Sequence, residues 1–231
     1  MTLLECKNLS KTYGKHTALN DISLQIDGGH IIGLLGPNGS GKTTLIKLIT
    51  GLLCPTAGAV YVKEEPIGPV SKSLISYLPD HTYLNGNLRV REIIDFFADF
   101  YEDFDSLRAY DMMAKLQINP CQKLKTLSKG TQEKVQLILV MSRHASLYIL
   151  DEPLAGVDPA ARDYILDTIL SNYDENASIL ISTHLISDIE NILDEVIFLK
   201  DGHLHTHALV DELREKDHKS VDTIFREVFK C

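Results

Sequence analysis

The chain has 231 residues, and its formal net charge of −9 makes general binding to nucleic acid or to an anionic membrane surface improbable. The four cysteines, Cys6, Cys54, Cys121 and Cys231, are far apart and contain no Cys-x-x-Cys pair, which is typical of thiols in a reducing compartment and not of a disulfide framework or metal site. No apolar run approaches the roughly 20 residues of a membrane-spanning helix, and no signal peptide pattern opens the chain, so we expect a cytosolic protein that reaches a membrane only through a partner.

Two strand patterns come first, over Leu3–Leu9 and over Ala18–Ile26, where apolar residues alternate with polar ones. Tyr13 lies between them and, shortly before a phosphate-binding loop, could stack on a nucleotide base. An aromatic residue on its own is more often part of ordinary packing, so both interpretations stay open. The segment Asp27–Gly29 predicts a turn into the next strand.

The stretch Gly36–Thr43 reads Gly-Pro-Asn-Gly-Ser-Gly-Lys-Thr and matches the phosphate-loop pattern G-x-x-x-x-G-K-[ST]. The apolar run Ile31–Leu35 predicts a buried strand before it, and Thr44–Ile49 predicts a helix after it. This strand–loop–helix context argues against a chance match by a glycine-rich turn.

The loop has the chemistry that a nucleotide phosphate requires. Its glycines allow a tight turn that points backbone N–H groups at one anion, and the following helix adds its positive end. We expect Lys42 to reach the β- and γ-phosphates and the Thr43 hydroxyl to bind Mg²⁺. The residues expected to contact the nucleotide here are Gly36, Pro37, Asn38, Gly39, Ser40, Gly41, Lys42, Thr43 and Thr44.

The middle of the chain changes from strands to helices. Strands are predicted at Ala59–Val62 and Leu74–Leu78, and from Val90 to Leu116 the pattern is helical, with Phe96, Phe100 and Phe104 four residues apart. One interpretation is a small helical lobe with a solvated acidic face, and another is that part of this face docks a partner helix. The interleaved acids are Glu92, Asp95, Asp99, Glu102, Asp103, Asp105 and Asp111.

Two carboxylates follow a strongly apolar strand pattern at Leu147–Leu150. Ligands bind at the carboxyl ends of strands in open α/β sheets, so Asp151 is a candidate Mg²⁺ ligand and Glu152 a candidate base that polarises water. Two acids in a surface loop would be the ordinary explanation without a phosphate loop in the same chain. Alternating strands and helices throughout predict an α/β fold with a parallel-rich sheet.

The remaining patterns complete this arrangement. Helices are predicted after Ser128 and from Pro159, strands at Ala177–Ser182 and Val196–Leu199, and a helical tail at the end. After a hairpin turn, three histidines alternate and would share one face of a strand, which suggests either a metal site or simply a polar outer face. These residues are His203, His205 and His207.

With these residues in order, the chain resembles the nucleotide-binding subunit of ATP-binding-cassette (ABC) transporters over nearly its whole length, most closely the small exporter-type cassettes. Gly36–Thr43 corresponds to the Walker A loop, and Leu147–Asp151 with Glu152 to the Walker B strand and catalytic glutamate. The remaining correspondences are Tyr13 with the adenine-stacking aromatic residue, Leu127–Thr131 with the signature, Ala155–Asp158 with the D-loop and His184 with the switch histidine.

The resemblance implies a P-loop NTPase core with a parallel-rich sheet, an N-terminal antiparallel β portion and a helical insert. It places one ABC ATPase domain over 1–231, with the core lobe at about 1–79 and 132–231 and the helical subdomain at about 80–131. The implied cofactors are ATP and Mg²⁺, the metal being held by Thr43, Asp151 and Asp80. The implied catalytic residues are Glu152, His184 and Asp80.

The resemblance also implies partners. Two cassettes, identical or different, would sandwich two nucleotides, each bound by one chain's phosphate loop and by Ser128 and Gly130 of the other. A separate integral membrane permease would hold the pair at the cytoplasmic face of the cell membrane. The tail Ser220–Phe225 is similar to that of cassettes serving exporters of peptide, drug or lipid-like cargo.

Two departures from the family pattern affect these expectations. Asp80 stands where the family usually has glutamine, which concerns how this position senses Mg²⁺ and the attacking water. In the signature, Lys129 replaces glycine and Thr131 replaces glutamine, and we expect the Lys129 side chain to point to solvent. The rival hypotheses are a soluble ABC ATPase that acts on nucleic acid or ribosomes, and a regulatory module that binds nucleotide without turnover.

Overall fold

The computed structural model describes residues 2–155, 157, 159–171 and 176–229. Gly156 and Asp158 of the expected D-loop, and Cys231, lie outside the described residues. Among the helices of the described ranges, none has the length and apolar character needed to cross a membrane.

The predicted strands are found close to their expected positions, and most extend one to four residues beyond them, while the two-residue strand Glu65–Pro66 was not predicted. The strands are β1 (Thr2–Tyr13), β2 (His16–Asp27), β3 (Ile31–Leu35), β4 (Ala57–Val62), β5 (Glu65–Pro66), β6 (Ile75–Leu78), β7 (Leu147–Asp151), β8 (Ser178–Thr183), β9 (Glu195–Lys200) and β10 (His203–Leu209).

The helices connect these strands and form the middle of the chain. They are α1 (Lys42–Ile49), α2 (Pro69–Ser73), α3 (Val90–Phe100), α4 (Ser106–Lys115), α5 (Lys129–Met141), α6 (Pro159–Ser171), α7 (Ile186–Ile189), α8 (Val210–Asp217) and α9 (Val221–Phe229), with a short 3₁₀ turn at Leu124–Thr126.

Two sheets form the β framework of the described chain. The first has the order β2-β1-β4-β5 and is antiparallel. The second has the order β10-β9-β3-β8-β7-β6, and its strands are parallel except for the antiparallel edge strand β10. This architecture confirms the predicted fold class, including the N-terminal antiparallel portion and the helical insert.

The parallel sheet is buried on both faces, which explains why its strands read as continuous apolar runs. Along β7, Tyr148 and Leu150 pack in one hydrophobic cluster, with α3–α5 of the helical region. The alternate residues Leu147 and Ile149 pack in a second cluster with α1 and the antiparallel sheet. The sheet therefore separates two cores, and its carboxyl edge is positioned rigidly by both.

Arg143 attaches the helical region to the parallel sheet. Its guanidinium is buried, donates to both carboxylate oxygens of Asp103 at 3.0 Å, and donates to the carbonyls of Ile75 and Ser73 at 2.6 and 2.7 Å. It also lies 3.9 Å from the ring centroid of Tyr101. A buried cation needs such complete pairing, so this contact fixes the joint between the two parts.

The prediction of one continuous helical pattern from Val90 to Leu116 is wrong at 101–105, where α3 ends and α4 has yet to begin. Asp103 turns towards Arg143, and the Asp105 carboxylate caps α4 by accepting a hydrogen bond from the Arg108 amide at 3.0 Å. Phe104 is therefore not on the helix of Phe96 and Phe100. Asp105 is a residue type typical of a helix N-cap, and it marks a break that the four-residue spacing of the phenylalanines conceals.

Candidate functional site

Four neighbouring strands of the parallel sheet end at one edge and deliver the candidate residues there. The strands β3, β8, β7 and β6 are adjacent and parallel. Their carboxyl ends lead into the phosphate loop, His184, Asp151 and Asp80 respectively. Residues separated by more than a hundred positions in sequence thus meet because parallel strands end together.

Backbone geometry requires glycine at two loop positions. A Cβ atom at Gly36 would lie 2.5 Å from the Leu199 carbonyl oxygen and the same distance from Ser40 Oγ. Gly41 has φ +107°, and a Cβ there would lie 2.8 Å from the Ala18 carbonyl oxygen. The loop backbone is therefore packed closely against β9 and β2, directly ahead of the amino end of α1, where backbone amides favour an anion.

The Lys42 side chain folds back over this loop. Its Nζ donates to the Gly36 carbonyl at 2.6 Å and to the Pro37 carbonyl at 3.3 Å, and the residue is 7% exposed. Burial lowers the Lys42 pKa, while the negative charges of Glu152 and Asp151 oppose that shift. A phosphate in the loop would supply the counter-charge that this confined ammonium needs.

Asp151 is a buried carboxylate with one oxygen satisfied and one free of hydrogen bonds. It is 1% exposed, and Oδ1 accepts from Ser182 Oγ at 2.5 Å. Within the described part of the chain, Oδ2 has no hydrogen-bond partner. Burial raises the Asp151 pKa, the Ser182 hydrogen bond lowers it, and the charges of Asp80 and Glu152 raise it further. A carboxylate oxygen without a hydrogen-bond partner is a hard oxygen ligand of the kind that Mg²⁺ takes.

Glu152 and His184 form a pair at the same edge. His184 Nδ1 lies 2.9 Å from Glu152 Oε2. The Glu152 amide donates to the backbone oxygen of Ser182 at 3.0 Å and to its hydroxyl at 3.1 Å, and Glu152 has φ +51°. A non-glycine residue in the left-handed region is held there by its surroundings, which orients this carboxylate.

A cavity of about 400 Å³ lies over the phosphate loop. Tyr13, at the end of β1, lines it and is 45% exposed, with Lys11 Nζ 5.2 Å from its ring centroid. Asp80 and Glu152 also line this cavity. The remaining lining comes from His16, Ala18 and the loop residues Asn38, Gly39, Ser40, Gly41, Lys42, Thr43 and Thr44. A ring and a phosphate-binding loop thus share one cavity, as a nucleotide needs.

Asp80 faces the phosphate-loop cavity and also a smaller cavity of about 250 Å³. Its Oδ1 lies 2.5 Å from His81 Nδ1. The smaller cavity is also lined by Asp151, Glu152 and Lys129. Asp80, at the position where the family usually has glutamine, therefore adds a third carboxylate to the cavity lined by Asp151 and Glu152.

The signature residues form the amino end of α5. Ser128 caps the helix by accepting from the Thr131 amide at 3.2 Å, and the two hydroxyls lie 2.7 Å apart. The Lys129 side chain is 88% exposed, with Nζ 3.8 Å from Glu133. Space around Gly130 is open, since a Cβ there would meet no described atom within 4 Å. Neither Ser128 nor Gly130 lines the phosphate-loop cavity of its own chain.

Sequence reasoning missed residues that support this site. Ser182 holds both Asp151 and the Glu152 backbone, and its signal was a small polar residue at the end of an apolar strand. Gln136 is buried on α5 and lines the smaller cavity. His81 pairs with Asp80, and no spacing in the sequence indicated that contact.

The three alternating histidines have separate partners. His203 contacts the Asn20 amide at 3.0 Å, His205 contacts Thr206 Oγ1 at 2.8 Å, and His207 contacts Glu195 at 2.9 Å. In the described ranges no three His, Cys, Asp or Glu side chains are grouped so that they could hold a metal ion.

A strand–loop–helix with a buried lysine, together with an acid at the end of another parallel strand of the same sheet, defines a P-loop nucleotide-binding site. The ABC transporter family model matches residues 19–155, and the chain belongs to the ABC transporter family.

Similar proteins are named as ATP-binding proteins or subunits. The SkfA peptide export ATP-binding protein SkfE of Bacillus subtilis is 32% identical over 223 residues, covering 94% of this chain and 93% of that protein. The ABC transporter ATP-binding protein YtrB of the same organism is 32% identical over 217 residues, covering 93% of this chain and 74% of that protein. A solved ATP-binding subunit of an ABC transporter superposes with TM-score 0.90 at 28% identity, covering 98% of this chain and 99% of that one.

Proposed function

We propose that this chain binds ATP with Mg²⁺, hydrolyses it, and thereby powers a separate membrane permease that exports a peptide, drug or lipid-like cargo. The observation that carries the proposal is the meeting of Lys42, Asp151 and the Glu152–His184 pair at one edge of the sheet. A module that only binds nucleotide has no use for an oriented carboxylate–imidazole pair beside its phosphate loop.

Binding relies on the loop and the aromatic ring. Backbone amides of the loop and Lys42 hold the phosphates, and Tyr13 stacks on the base. Thr43 and Asp151, with Asp80 beside them, hold Mg²⁺, which when bound neutralises phosphate charge and orients the γ-phosphate. The orphaned Oδ2 of Asp151 is the oxygen that this role requires.

Hydrolysis relies on Glu152. Its carboxylate accepts a proton from the water that attacks the γ-phosphate. His184 lies 2.9 Å from Oε2 and keeps that carboxylate in place as the phosphate charge redistributes. The constrained backbone at φ +51° limits the directions in which Glu152 can move.

A second cassette completes each site. Ser128 and Gly130 lie at the amino end of α5, a 13-residue helix whose positive end favours an anion. They do not line their own chain's nucleotide cavity, so we assign them to the nucleotide of the facing chain. ATP then joins two chains, and its hydrolysis releases them.

The helical region carries the surface that we assign to the permease. Phe96 and Phe100 are exposed and stacked with ring centroids 6.1 Å apart, beside exposed Asp95 and Asp99. The ring centroids of Phe100 and Tyr101 lie 4.8 Å apart. Tyr101 also lines a groove of about 550 Å³ that reaches the core lobe. A basic, apolar helix of a membrane partner fits this combination and would hold the chain at the cytoplasmic face of the membrane.

The export direction is supported by SkfE, a relative named for peptide export, together with the tail Ser220–Phe225.

Lys42→Ala tests the proposal at its centre. The variant is expected to lose phosphate release and bind fluorescent ATP more weakly, because the phosphates lose a fixed cation. Lys115→Ala is the matched control, because it removes the same charge at an exposed position of α4. Wild-type turnover in a folded Lys42→Ala protein contradicts the site assignment.

A further inference from the structure

Gln136 is a carboxamide buried inside the apolar part of α5. It is 3% exposed and lies between Val135 and Leu137, which are both buried. Its Nε2 donates to the Pro79 carbonyl at 3.4 Å, a long contact. Within the described residues its Oε1 has no hydrogen-bond partner. Burying such a group is costly unless something in the assembled site accepts or donates to it.

The Pro79 carbonyl fixes the direction of this amide. The reversed amide would set two acceptor oxygens against each other, so Nε2 faces Pro79 and Oε1 is left for another donor. Pro79 directly precedes Asp80 at the joint between β6 and the helical region. The Gln136 amide is therefore hydrogen-bonded to the residue that directly precedes Asp80, at the end of β6.

The same cavity contains a second unpartnered oxygen. Gln136, Asp151, Glu152 and Asp80 all line the cavity of about 250 Å³. Asp151 Oδ2, on β7, is the other buried oxygen there without a hydrogen-bond partner in the described chain. The cavity has room for several water molecules, each occupying roughly 30 Å³ in the liquid. Two buried acceptors from separate elements therefore line a space that can hold water next to the candidate base.

We propose that Gln136 positions the attacking water by accepting a hydrogen bond from it through Oε1, an inference that rests on the proposed hydrolysis. A water attacks phosphorus through a lone pair, so both of its protons must point towards acceptors. Glu152 accepts one proton and takes it during attack, and Gln136 accepts the other without taking it. A neutral acceptor suits this position because a fourth carboxylate would repel the phosphates.

The location of Gln136 on α5 links this role to the facing cassette. The helix begins at Lys129, directly after Ser128, and Gln136 lies two turns further on. A rigid helix that moves when its amino end meets a phosphate carries Gln136 with it. The water would then be aligned only when the signature is engaged, so the chemical step and not nucleotide affinity depends on Gln136.

The test uses Gln136→Met, which keeps the volume and removes the amide, and Gln136→Ala, which leaves space. Phosphate release is measured at saturating Mg-ATP, and nucleotide affinity is measured with a fluorescent ATP analogue. We expect kcat to fall at least tenfold in both variants while the dissociation constant changes less than twofold. Adding Gln136→Met to Glu152→Gln should lower the residual rate no further, because both residues act on one water.

Ser76→Ala is the matched control. Its hydroxyl is buried and donates to the Val140 carbonyl of α5 at 2.8 Å, outside the cavity. We expect this variant to lose thermal stability and to keep kcat. Unchanged kcat in folded Gln136 variants, or a loss confined to nucleotide affinity, overturns the inference. A wild-type protein that releases no phosphate instead overturns the proposed hydrolysis, so the two failures are distinguishable.

Discussion

His184 Nδ1 lies 2.9 Å from Glu152 Oε2, although the two residues directly follow different strands of the parallel sheet, β8 and β7. The Glu152 amide donates to the carbonyl and to the hydroxyl of Ser182, which lies on β8, the strand that precedes His184. One strand thus controls both the position of the base and its partner.

Glu152→Gln keeps the size of the side chain and its contact with His184 but cannot accept a proton from water. We expect phosphate release to fall by roughly 10²–10⁴-fold while ATP binding persists, because Lys42, Thr43 and Asp151 are unchanged. The variant should accumulate as an ATP-bound dimer, detected by light scattering or sedimentation, ideally with the permease present.

Ser128→Arg added to Glu152→Gln is the control for that dimer. It places bulk and charge at the amino end of α5, where the facing nucleotide is proposed to bind, and should abolish the association. A Glu152→Gln protein that binds ATP tightly and hydrolyses it at the wild-type rate would contradict the role of Glu152 as the base. It would also contradict the expected accumulation of an ATP-bound dimer.

Much of this site could be predicted because local sequence determines it. Gly39 and Gly41 of the phosphate loop have φ +83° and +107°, which favours glycine in any chain, and Asp151 ends an apolar run that predicts a buried strand. Parallel strands then bring their ends together without further information. The fold class was predicted correctly for the same reason.

The supporting contacts could not be predicted because they depend on tertiary neighbours. In the sequence, Gln136 is one polar residue within a helical pattern. Its contact with the Pro79 carbonyl forms only because α5 packs against the end of β6. Arg143 and Asp103 are 40 positions apart, and they pair in the segment between α3 and α4. Helical periodicity carries no information about such a partner, so the break at 101–105 was missed.

Asp80→Asn tests whether Asp80 only senses Mg²⁺ and the attacking water or is the main base that accepts the proton. We expect ATPase to decrease only a few-fold, and Asp80→Gln to be well tolerated, because Glu152 retains the proton-accepting role. Removing the Asp80 charge also removes one of the influences that raise the Asp151 pKa, so Mg²⁺ dependence should be measured alongside phosphate release. An Asp80→Asn variant as inactive as Glu152→Gln would move the base to Asp80.

Charge reversal on the helical region tests the permease surface. Lysine at Asp95, Asp99 and Glu102, which are exposed, should uncouple ATPase from transport and reduce co-purification with the permease, while isolated turnover stays near normal. Asp111→Lys on α4 is the control, since Asp111 is exposed on the same lobe and pairs with Lys115. Normal transport by the triple variant would show that this face is only solvated.

A buried carboxylate far from the nucleotide edge predicts how stability depends on pH. Glu195 begins β9, and its two oxygens contact His207 at 2.9 Å and His30. The hydrogen bond from His207 lowers the Glu195 pKa below its ordinary value of 4.5, against the opposing effect of burial, and His30 lowers it further. The unfolded chain therefore binds this proton at a higher pH than the folded chain.

The contribution of Glu195 to stability is accordingly complete above pH 4.5 and is lost as the pH falls through the lowered folded pKa. Urea unfolding between roughly pH 6 and pH 3 should show the free energy of unfolding falling less steeply in Glu195→Gln than in the wild type. His207→Ala should also flatten the curve, because it removes the largest cause of the shift. Glu65→Gln, at an exposed position of β5, is the control and should follow the wild-type slope. If Glu195→Gln and the wild type lose stability in parallel on acidification, the two imidazole contacts do not hold Glu195 as an anion in solution.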